Sequence, residues 1–315
     1  MATLETHDKS DQNLECRESE HFNRRLALQL SAVTGCWLGA NWIALQCIET
    51  YEFREACHRY HVSPQIAGKF QTRTIKLDSK QFPGRDHVDY KLLPPKNLQG
   101  GKKYPVLLYL HGAGERGSDG VQQLRSVPSW LSVDAYREKY PCHLIAPQCP
   151  SHLHWNYRGS NAPRRTDELD IIHSILCDVL KLPSADSKRV YIVGYSMGGY
   201  GTWEFACRYP ELVTAIVPVA GAGDPAEAEK LRNVPLWAIH GADDHIVPVD
   251  GSDKMIEAIR ETGGVPLYSR LKNVGHDALV PVRQNSQPIL HWLFRQNSQR
   301  RSLAPAASRL PSTSP

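Results

Sequence analysis

The pentapeptide at 194–198, Gly-Tyr-Ser-Met-Gly, constrains this chain more than any other feature. An apolar run (Val-Tyr-Ile-Val, 190–193) precedes it, and a helix-compatible stretch follows it. A Gly-x-Ser-x-Gly sequence at a strand-to-helix junction predicts a turn so tight that the serine is strained and its hydroxyl projects above the sheet. Glycine at both flanks avoids a clash in such a turn. We therefore predict a nucleophile elbow with Ser196 as the nucleophile; a glycine-rich turn without catalytic use is the alternative.

Apolar runs alternate with helix-like segments along the rest of the chain. The runs have the continuous apolar character of strands buried on both faces, and they cover 105–110, 143–147, 189–193, 214–219 and 235–239. Helical spacing of apolar residues covers 167–182, 197–209, 252–262 and 285–296. Two earlier segments, 70–77 and 88–93, flank a Pro-Gly turn and predict an antiparallel edge. The pattern indicates an α/β fold: a mostly parallel twisted sheet with antiparallel N-terminal strands and helices on both faces.

A serine hydroxyl is a poor nucleophile at neutral pH and needs an adjacent base, which is normally a histidine held by a carboxylate. Downstream of Ser196, a segment with Asp243 and Asp244 follows one predicted strand, and a segment with His276 follows another. The chain order Ser, acid, His is that of α/β-hydrolases. We predict Ser196, Asp244 and His276 as the catalytic residues, with Asp243 as the alternative acid.

The acid segment carries the pattern His-Gly-x-x-Asp-x-x-Val-Pro at 240–248, and a Gly-His pair follows at 275–276. With these motifs the chain resembles α/β-hydrolases of the dienelactone hydrolase and polyhydroxyalkanoate-depolymerase-like carboxylesterase branch, some of which are labelled peptidases. The resemblance covers about 69–296, which we take as the catalytic domain, and it places Asp244 in the acid position. His240 and His245 are interpreted as structural, and His291 as a surface or packing residue.

Negative charge develops on the substrate oxygen during acyl transfer, so an oxyanion hole is expected. The backbone N–H of Met197, directly after the nucleophile, is one predicted donor. The second should come from the glycine-rich loop at 110–117, where His111-Gly112 resembles the family's oxyanion segment. The resemblance implies that Ala113 supplies the second N–H. A turn without catalytic use is the alternative.

Two long loops, 115–141 and 150–165, follow strands at the end of the sheet where ligands bind in open α/β folds. Their aromatic and basic side chains could stack on a sugar or an aromatic acyl group and receive a carboxylate. We predict as substrate-binding residues Trp130, Trp155, Tyr157 and Arg158. Packing of the aromatic residues within a lid is the alternative.

These features predict a carboxylesterase that forms an acyl-enzyme on a carbohydrate-linked or small-molecule ester. The alternatives are a serine peptidase of the prolyl-oligopeptidase-like type, a phospholipase or lysophospholipase, and a non-catalytic binding module. This chemistry requires no cofactor, and no cysteine or histidine pattern has zinc spacing, so we predict neither cofactor nor metal. With 37 basic and 33 acidic residues and no basic stripe, nucleic-acid binding is not expected. The oligomeric state is not predicted.

The ends of the chain differ from the domain between them. Residues 1–22 and 297–315 are polar or rich in Ser, Pro and Ala, which predicts disorder. Within 23–48, paired arginines precede an apolar run that ends in Val33-Thr34-Gly35-Cys36, which resembles a lipobox. We predict a bacterial export or lipoprotein signal, and hence a periplasmic, membrane-anchored or secreted protein. The alternatives are a short membrane anchor, an amphipathic helix packed on the domain, and a cytoplasmic location.

Among the eight cysteines, Cys142 and Cys149 bracket one predicted strand. Seven extended residues separate the strand's ends by about 23 Å, which is too far for a disulfide. Cys177 and Cys207 lie in predicted helices, where we expect small buried apolar groups rather than a bridge.

Overall fold

The structure is a computed structural model that describes residues 62–155, 168–284 and 286–297. Eight strands form one sheet in the described residues. They are β1 (Gln71–Lys76), β2 (His87–Leu93), β3 (Tyr104–Leu110), β4 (His143–Pro147), β5 (Ala185–Tyr195), β6 (Ala215–Val219), β7 (Trp237–Gly241) and β8 (Leu267–Leu271). Their order across the sheet is β1-β2-β4-β3-β5-β6-β7-β8.

The strand directions confirm the predicted fold class. β1 and β2 pair antiparallel, β2 and β4 pair antiparallel, and all other neighbours pair parallel. Each parallel crossover places the carboxyl ends of β3 to β8 at one edge of the sheet. The architecture is therefore an α/β-hydrolase fold with an antiparallel N-terminal edge.

Eight α-helices surround this sheet in the described residues. They are α1 (Pro64–Gly68), α2 (Val127–Ser132), α3 (Asp134–Lys139), α4 (Glu168–Leu180), α5 (Met197–Arg208), α6 (Asp250–Glu261), α7 (Leu279–Gln284) and α8 (Ser286–Phe294). The segment 115–141, expected as a loop, contains α2 and α3. Both have six residues, which is less than two turns, so the sequence shows no helical period there.

Alternating side chains of the central strands pack on opposite faces of the sheet. In β3, Leu107 and Tyr109 contribute to one buried cluster, whereas Val106, Leu108 and Leu110 contribute to the other. Because helices cover both faces, every residue of β3 is buried. Full burial of a leucine-sized side chain stabilises a fold by about 1.5–3 kcal/mol, so this strand contributes strongly to stability.

The four cysteines in the described residues are free thiols. Cys142, Cys149 and Cys207 are buried, and Cys177 is partly exposed. Burial raises the pKa of Cys142 and of Cys207 to about 12, and these thiols therefore stay protonated at neutral pH. Cys207 is therefore the small buried apolar group that the sequence predicts, whereas Cys177, for which the same was predicted, is only partly buried.

None of the helices within 62–155, 168–284 and 286–297 is both long enough and apolar enough to cross a bilayer. The predicted export signal at 23–48 and the predicted disordered segment at 1–22 lie outside the described residues, as does all but the first residue of the tail at 297–315.

Candidate active site

Ser196 lies between the end of β5 and the first turn of α5. Its backbone has φ 54° and ψ −115°, a conformation that non-glycine residues rarely adopt. The Ser196 N–H donates to the carbonyl of Val219 at 2.9 Å, and the Ser196 carbonyl accepts from the N–H of Tyr200 at 3.1 Å. These bonds join the strained turn to β6 and to the helix, and they therefore hold the serine in the geometry of a nucleophile elbow.

The glycines that flank this serine are required by close backbone approach. A Cβ atom on Gly198 would lie 1.8 Å from the carbonyl oxygen of Leu110, at the end of β3. A Cβ atom on Gly194 would lie 2.1 Å from the carbonyl oxygen of Gly198. Any side chain at either position would force the helix away from the sheet. This is the physical reason for the Gly-x-Ser-x-Gly pattern in this chain.

The structure brings Ser196, His276 and Asp244 into one hydrogen-bonded line. The distance from Ser196 Oγ to His276 Nε2 is 2.8 Å, and the distance from His276 Nδ1 to Asp244 Oδ2 is also 2.8 Å. A carboxylate only accepts hydrogen bonds, so Nδ1–H donates to Asp244 and Nε2 is free to accept the serine proton. Asp243, the alternative acid, is exposed, and its backbone N–H donates to the carbonyl of Val274 at 3.0 Å.

The carboxylate of Asp244 is buried and surrounded by donors. Its Oδ1 accepts from the backbone N–H groups of Ile246 and Val247, each at 2.9 Å, while Oδ2 accepts from His276. Burial alone would raise the pKa of Asp244, but the hydrogen bonds from His276, Val247 and Ile246 outweigh it and lower the pKa below its usual value. Asp244 is therefore ionised at neutral pH, as the partner of an imidazole must be.

This lowered pKa predicts a pH-dependent contribution to stability. Ionised Asp244 makes its full contribution to stability at pH values above about 3.9, the pKa of an aspartate in the unfolded chain. This contribution is lost as the pH falls through the lower pKa that Asp244 has in the folded protein. Asp244→Asn resembles the protonated form at every pH. We expect the free energy of unfolding of the wild type, relative to Asp244→Asn, to decrease between about pH 5 and pH 2. Urea unfolding of both proteins measures this difference, and a constant difference would contradict the assignment.

Each of the two backbone amides predicted as oxyanion donors belongs to the first residue of a helix. Met197 is the first residue of α5, and Ala113 is the first residue of a short 3-10 helix, Ala113–Glu115. Among the hydrogen bonds of the described residues, none is donated by the backbone amide of Met197 or of Ala113. The first amides of a helix have no partner within that helix, so each of these two groups remains available as a hydrogen-bond donor.

The glycine-rich loop after β3 is held in place by His111, which is fully buried. Its Nδ1–H donates to the carbonyl of Gly112 at 2.6 Å, and its Nε2 accepts from the N–H of Cys149 at 2.9 Å. Burial lowers the pKa of His111 to about 4, so the ring is neutral and both nitrogens have partners. His111 thus joins the loop after β3 to the end of β4.

The predicted substrate-binding aromatics do not present a ring to solvent. Trp155 is fully buried, its indole N–H donates to the carbonyl of His111 at 2.9 Å, and its ring packs edge-on against that imidazole. Trp130 is buried within α2. Both rings therefore pack within the loops, where neither is exposed for stacking. Tyr157 and Arg158 lie outside the described residues.

Three further residues contact His276, Ala113 or Asp244 in ways that were not predicted from the sequence. The Tyr195 hydroxyl donates to the carbonyl of His276 at 3.1 Å, and Arg116 Nε donates to the carbonyl of Ala113 at 3.0 Å. His240 Nε2 lies 3.3 Å from Asp244 Oδ2. Their only sequence signal is position: Tyr195 precedes the nucleophile, Arg116 lies in the glycine-rich loop, and His240 is four residues before the acid.

Residues 149–281 match the model of the dienelactone hydrolase family. The chain is 27% identical to the bifunctional acetylxylan esterase/xylanase XynS20E of Neocallimastix patriciarum over 213 residues. The aligned region covers 67% of this chain and 28% of that protein. The chain is also 30% identical to feruloyl esterase B of Neurospora crassa over 128 residues. This aligned region covers 38% of this chain and 39% of that protein. The chain thus spans well under half the length of these two relatives.

The fold is also similar to a solved structure, the crystal structure of a thermostable esterase. The TM-score is 0.67 at 31% sequence identity, and the superposition covers 74% of this chain and 64% of that one.

Proposed function

We propose that this chain, which belongs to the α/β-hydrolase superfamily, hydrolyses carboxylic esters through an acyl-enzyme formed on Ser196. The observation that carries this proposal is the line of 2.8 Å contacts from Ser196 through His276 to Asp244. The similar proteins support an ester-cleaving hydrolase, since those compared above are esterases or contain an esterase.

In the proposed reaction, His276 Nε2 takes the proton of Ser196 as Oγ attacks the ester carbonyl. The oxygen of that carbonyl becomes negatively charged and accepts hydrogen bonds from the amides of Met197 and Ala113. The imidazolium then protonates the leaving alcohol, and a water molecule attacks the acyl-enzyme by the same sequence of steps. Asp244 fixes the imidazole tautomer and stabilises its charged form. No cofactor takes part in these steps.

For the substrate we propose a carbohydrate-linked or small-molecule ester. The names of two relatives refer to acetylxylan and feruloyl esters. The fold supports an open cleft, because the connection from β6 to β7 contains only a 3-10 helix, Pro225–Leu231, and no inserted cap domain. An open cleft accommodates an ester that is attached to a bulky sugar chain better than a narrow tunnel does.

Hydrolysis rates on a panel of substrates test this proposal. The panel contains an aryl acetate, an acetylated xylo-oligosaccharide, a feruloylated sugar, a lysophospholipid and a peptide anilide. We expect kcat/KM for at least one sugar-linked ester to exceed that for the peptide anilide by about a hundredfold or more. Faster cleavage of the anilide would instead support the peptidase alternative, and faster cleavage of the lysophospholipid would support the phospholipase alternative.

We further propose that the catalytic domain extends over about 69–296 and that 23–48 directs export of the protein. The sequence of the N-terminal segment, with its paired arginines and its apolar run, supports export. N-terminal sequencing of the protein isolated from its native cells tests this, because an intact cytoplasmic protein that retains residues 1–36 would contradict it.

A further inference from the structure

His240 is a second imidazole at the acid, and the reaction proposed above does not use it. The side chain is fully buried at the end of β7. Its Nε2 lies 2.9 Å from the carbonyl oxygen of Val247 and 3.3 Å from Asp244 Oδ2. Its Nδ1 lies 2.8 Å from the hydroxyl of Ser252, which also contacts the carbonyl of Gly221 at 2.8 Å.

The neighbours of this ring determine where its proton lies. The carbonyl of Val247 and the carboxylate of Asp244 can only accept hydrogen bonds, so Nε2 must carry a hydrogen. Burial lowers the pKa of His240, which favours the neutral ring. Nδ1 is then an acceptor, and the Ser252 hydroxyl can direct its single hydrogen at this nitrogen or at the carbonyl of Gly221, each of which lies 2.8 Å from the hydroxyl oxygen. The hydrogen bond of this Nε2–H runs to the carbonyl of Val247, and Asp244 Oδ2, the oxygen that accepts from His276, lies beside it at 3.3 Å from the same nitrogen.

A carboxylate that orients an imidazole must itself be prevented from rotating. Two backbone amides hold Asp244 Oδ1, but Oδ2 has only the two imidazoles as partners among the hydrogen bonds and ion pairs described here. Because the orientation of His276 depends on Asp244 Oδ2, a second group must hold this oxygen in place. The buried ring of His240, which is held by Ser252 of α6, is a fixed donor that meets this need.

We propose that His240 is a positioning residue, whose Nε2–H, bonded to the carbonyl of Val247, also attracts Asp244 Oδ2 at 3.3 Å and keeps that oxygen where it accepts the Nδ1–H of His276. The proposal rests on the function proposed above, because it assigns a role to His240 within that same line. It replaces the interpretation of His240 as a purely structural residue. Removing the donor should let the carboxylate turn, and His276 should then spend less time in the orientation that serves Ser196.

Two substitutions separate this role from packing. In His240→Gln the side-chain amide can place an N–H donor near the position of Nε2. In His240→Asn the shorter side chain reaches only the position of Nδ1. Asparagine therefore retains the contact with Ser252 and loses the contacts with Val247 and Asp244. If His240→Asn does not fold, as thermal unfolding would show, Ser252→Ala is the second variant, because it removes the group that holds the ring.

The first measurement is the proton NMR resonance of the His276 Nδ1–H, assigned by its loss in Asp244→Ala. It needs no substrate, so it decides the proposal even if the wild type hydrolyses no ester, a result that would refute the proposed function alone. We expect the resonance to move in His240→Asn and in Ser252→Ala, and to stay near its wild-type position in His240→Gln. An unmoved resonance in His240→Asn, or equal movement in both His240 variants, would overturn the proposal.

The second measurement is the kinetics of aryl acetate hydrolysis by the same proteins. We expect kcat of His240→Asn to fall about tenfold with little change in KM, because a misplaced group slows the reaction more than it weakens binding. His240→Gln should keep kcat within about threefold of the wild type. Equal losses in the two variants, or full activity of His240→Asn, would show that His240 only fills space.

Discussion

Ser196→Ala is expected to reduce ester hydrolysis by about a millionfold, to the background rate set by the binding groups and the oxyanion hole. The substitution removes the atom that we propose forms the covalent bond with the substrate, and it leaves the contact between His276 and Asp244 in place. Because Ser196 is partly exposed and its hydroxyl packs no core, thermal unfolding should change little. Rates on an aryl acetate and covalent labelling by a fluorophosphonate probe measure the loss.

Ser126→Ala is the matched control for this variant. Ser126 has nearly the same backbone conformation, φ 61° and ψ −122°, and it too precedes a helix, α2. Alanine at this position therefore tests the effect of losing a hydroxyl at a strained turn elsewhere in the fold. We expect the Ser126 variant to keep its fluorophosphonate labelling. Labelling that survives in Ser196→Ala would mean that another residue is the nucleophile.

Asp244→Asn is expected to lower kcat by about ten thousandfold with little effect on KM. The asparagine side chain fits the same space, but its NH2 group can donate to Nδ1 and so stabilise the tautomer in which Nε2 carries the hydrogen. In that tautomer His276 cannot take the proton of Ser196. The loss should appear in steady-state rates at neutral pH, where Asp244 of the wild type is ionised.

Asp243→Asn provides the comparison for the acid. Asp243 is the exposed neighbour of Asp244, and replacing it changes the charge of the same loop without touching the line. We expect its kcat to stay within about twofold of the wild type, since exposed charges contribute little. A large loss in Asp243→Asn together with a small loss in Asp244→Asn would identify Asp243 as the acid.

The sequence was sufficient to predict the fold and the proposed line because both depend on strong local signals. Apolar runs such as that of β3 identify buried parallel strands, and glycines at 194 and 198 identify a turn that tolerates no side chain. The order of Ser196, Asp244 and His276 follows from the sheet, since the loops after successive strands meet at one edge.

The substrate residues could not be predicted in the same way, because stacking on a ligand and packing in a core require the same aromatic residues. Trp155 shows the difficulty: the sequence places it in a loop, but the structure buries it beneath His111. Likewise, the contact of His240 with Asp244 depends on the fold of the loop after β7. The ends of β8 are not evident from the sequence, because this strand is only partly buried and contains no continuous apolar run.

The close approach of Gly198 to Leu110 means that mutations at 196 and at 198 should have different evolutionary outcomes. A Ser196→Ala mutation removes the proposed nucleophile and leaves the fold intact. A Gly198→Ala mutation places a methyl group against the backbone carbonyl of Leu110, so the protein should fold poorly. Homologous proteins that have lost hydrolase activity and act as binding modules should therefore retain Gly194 and Gly198 and differ at position 196.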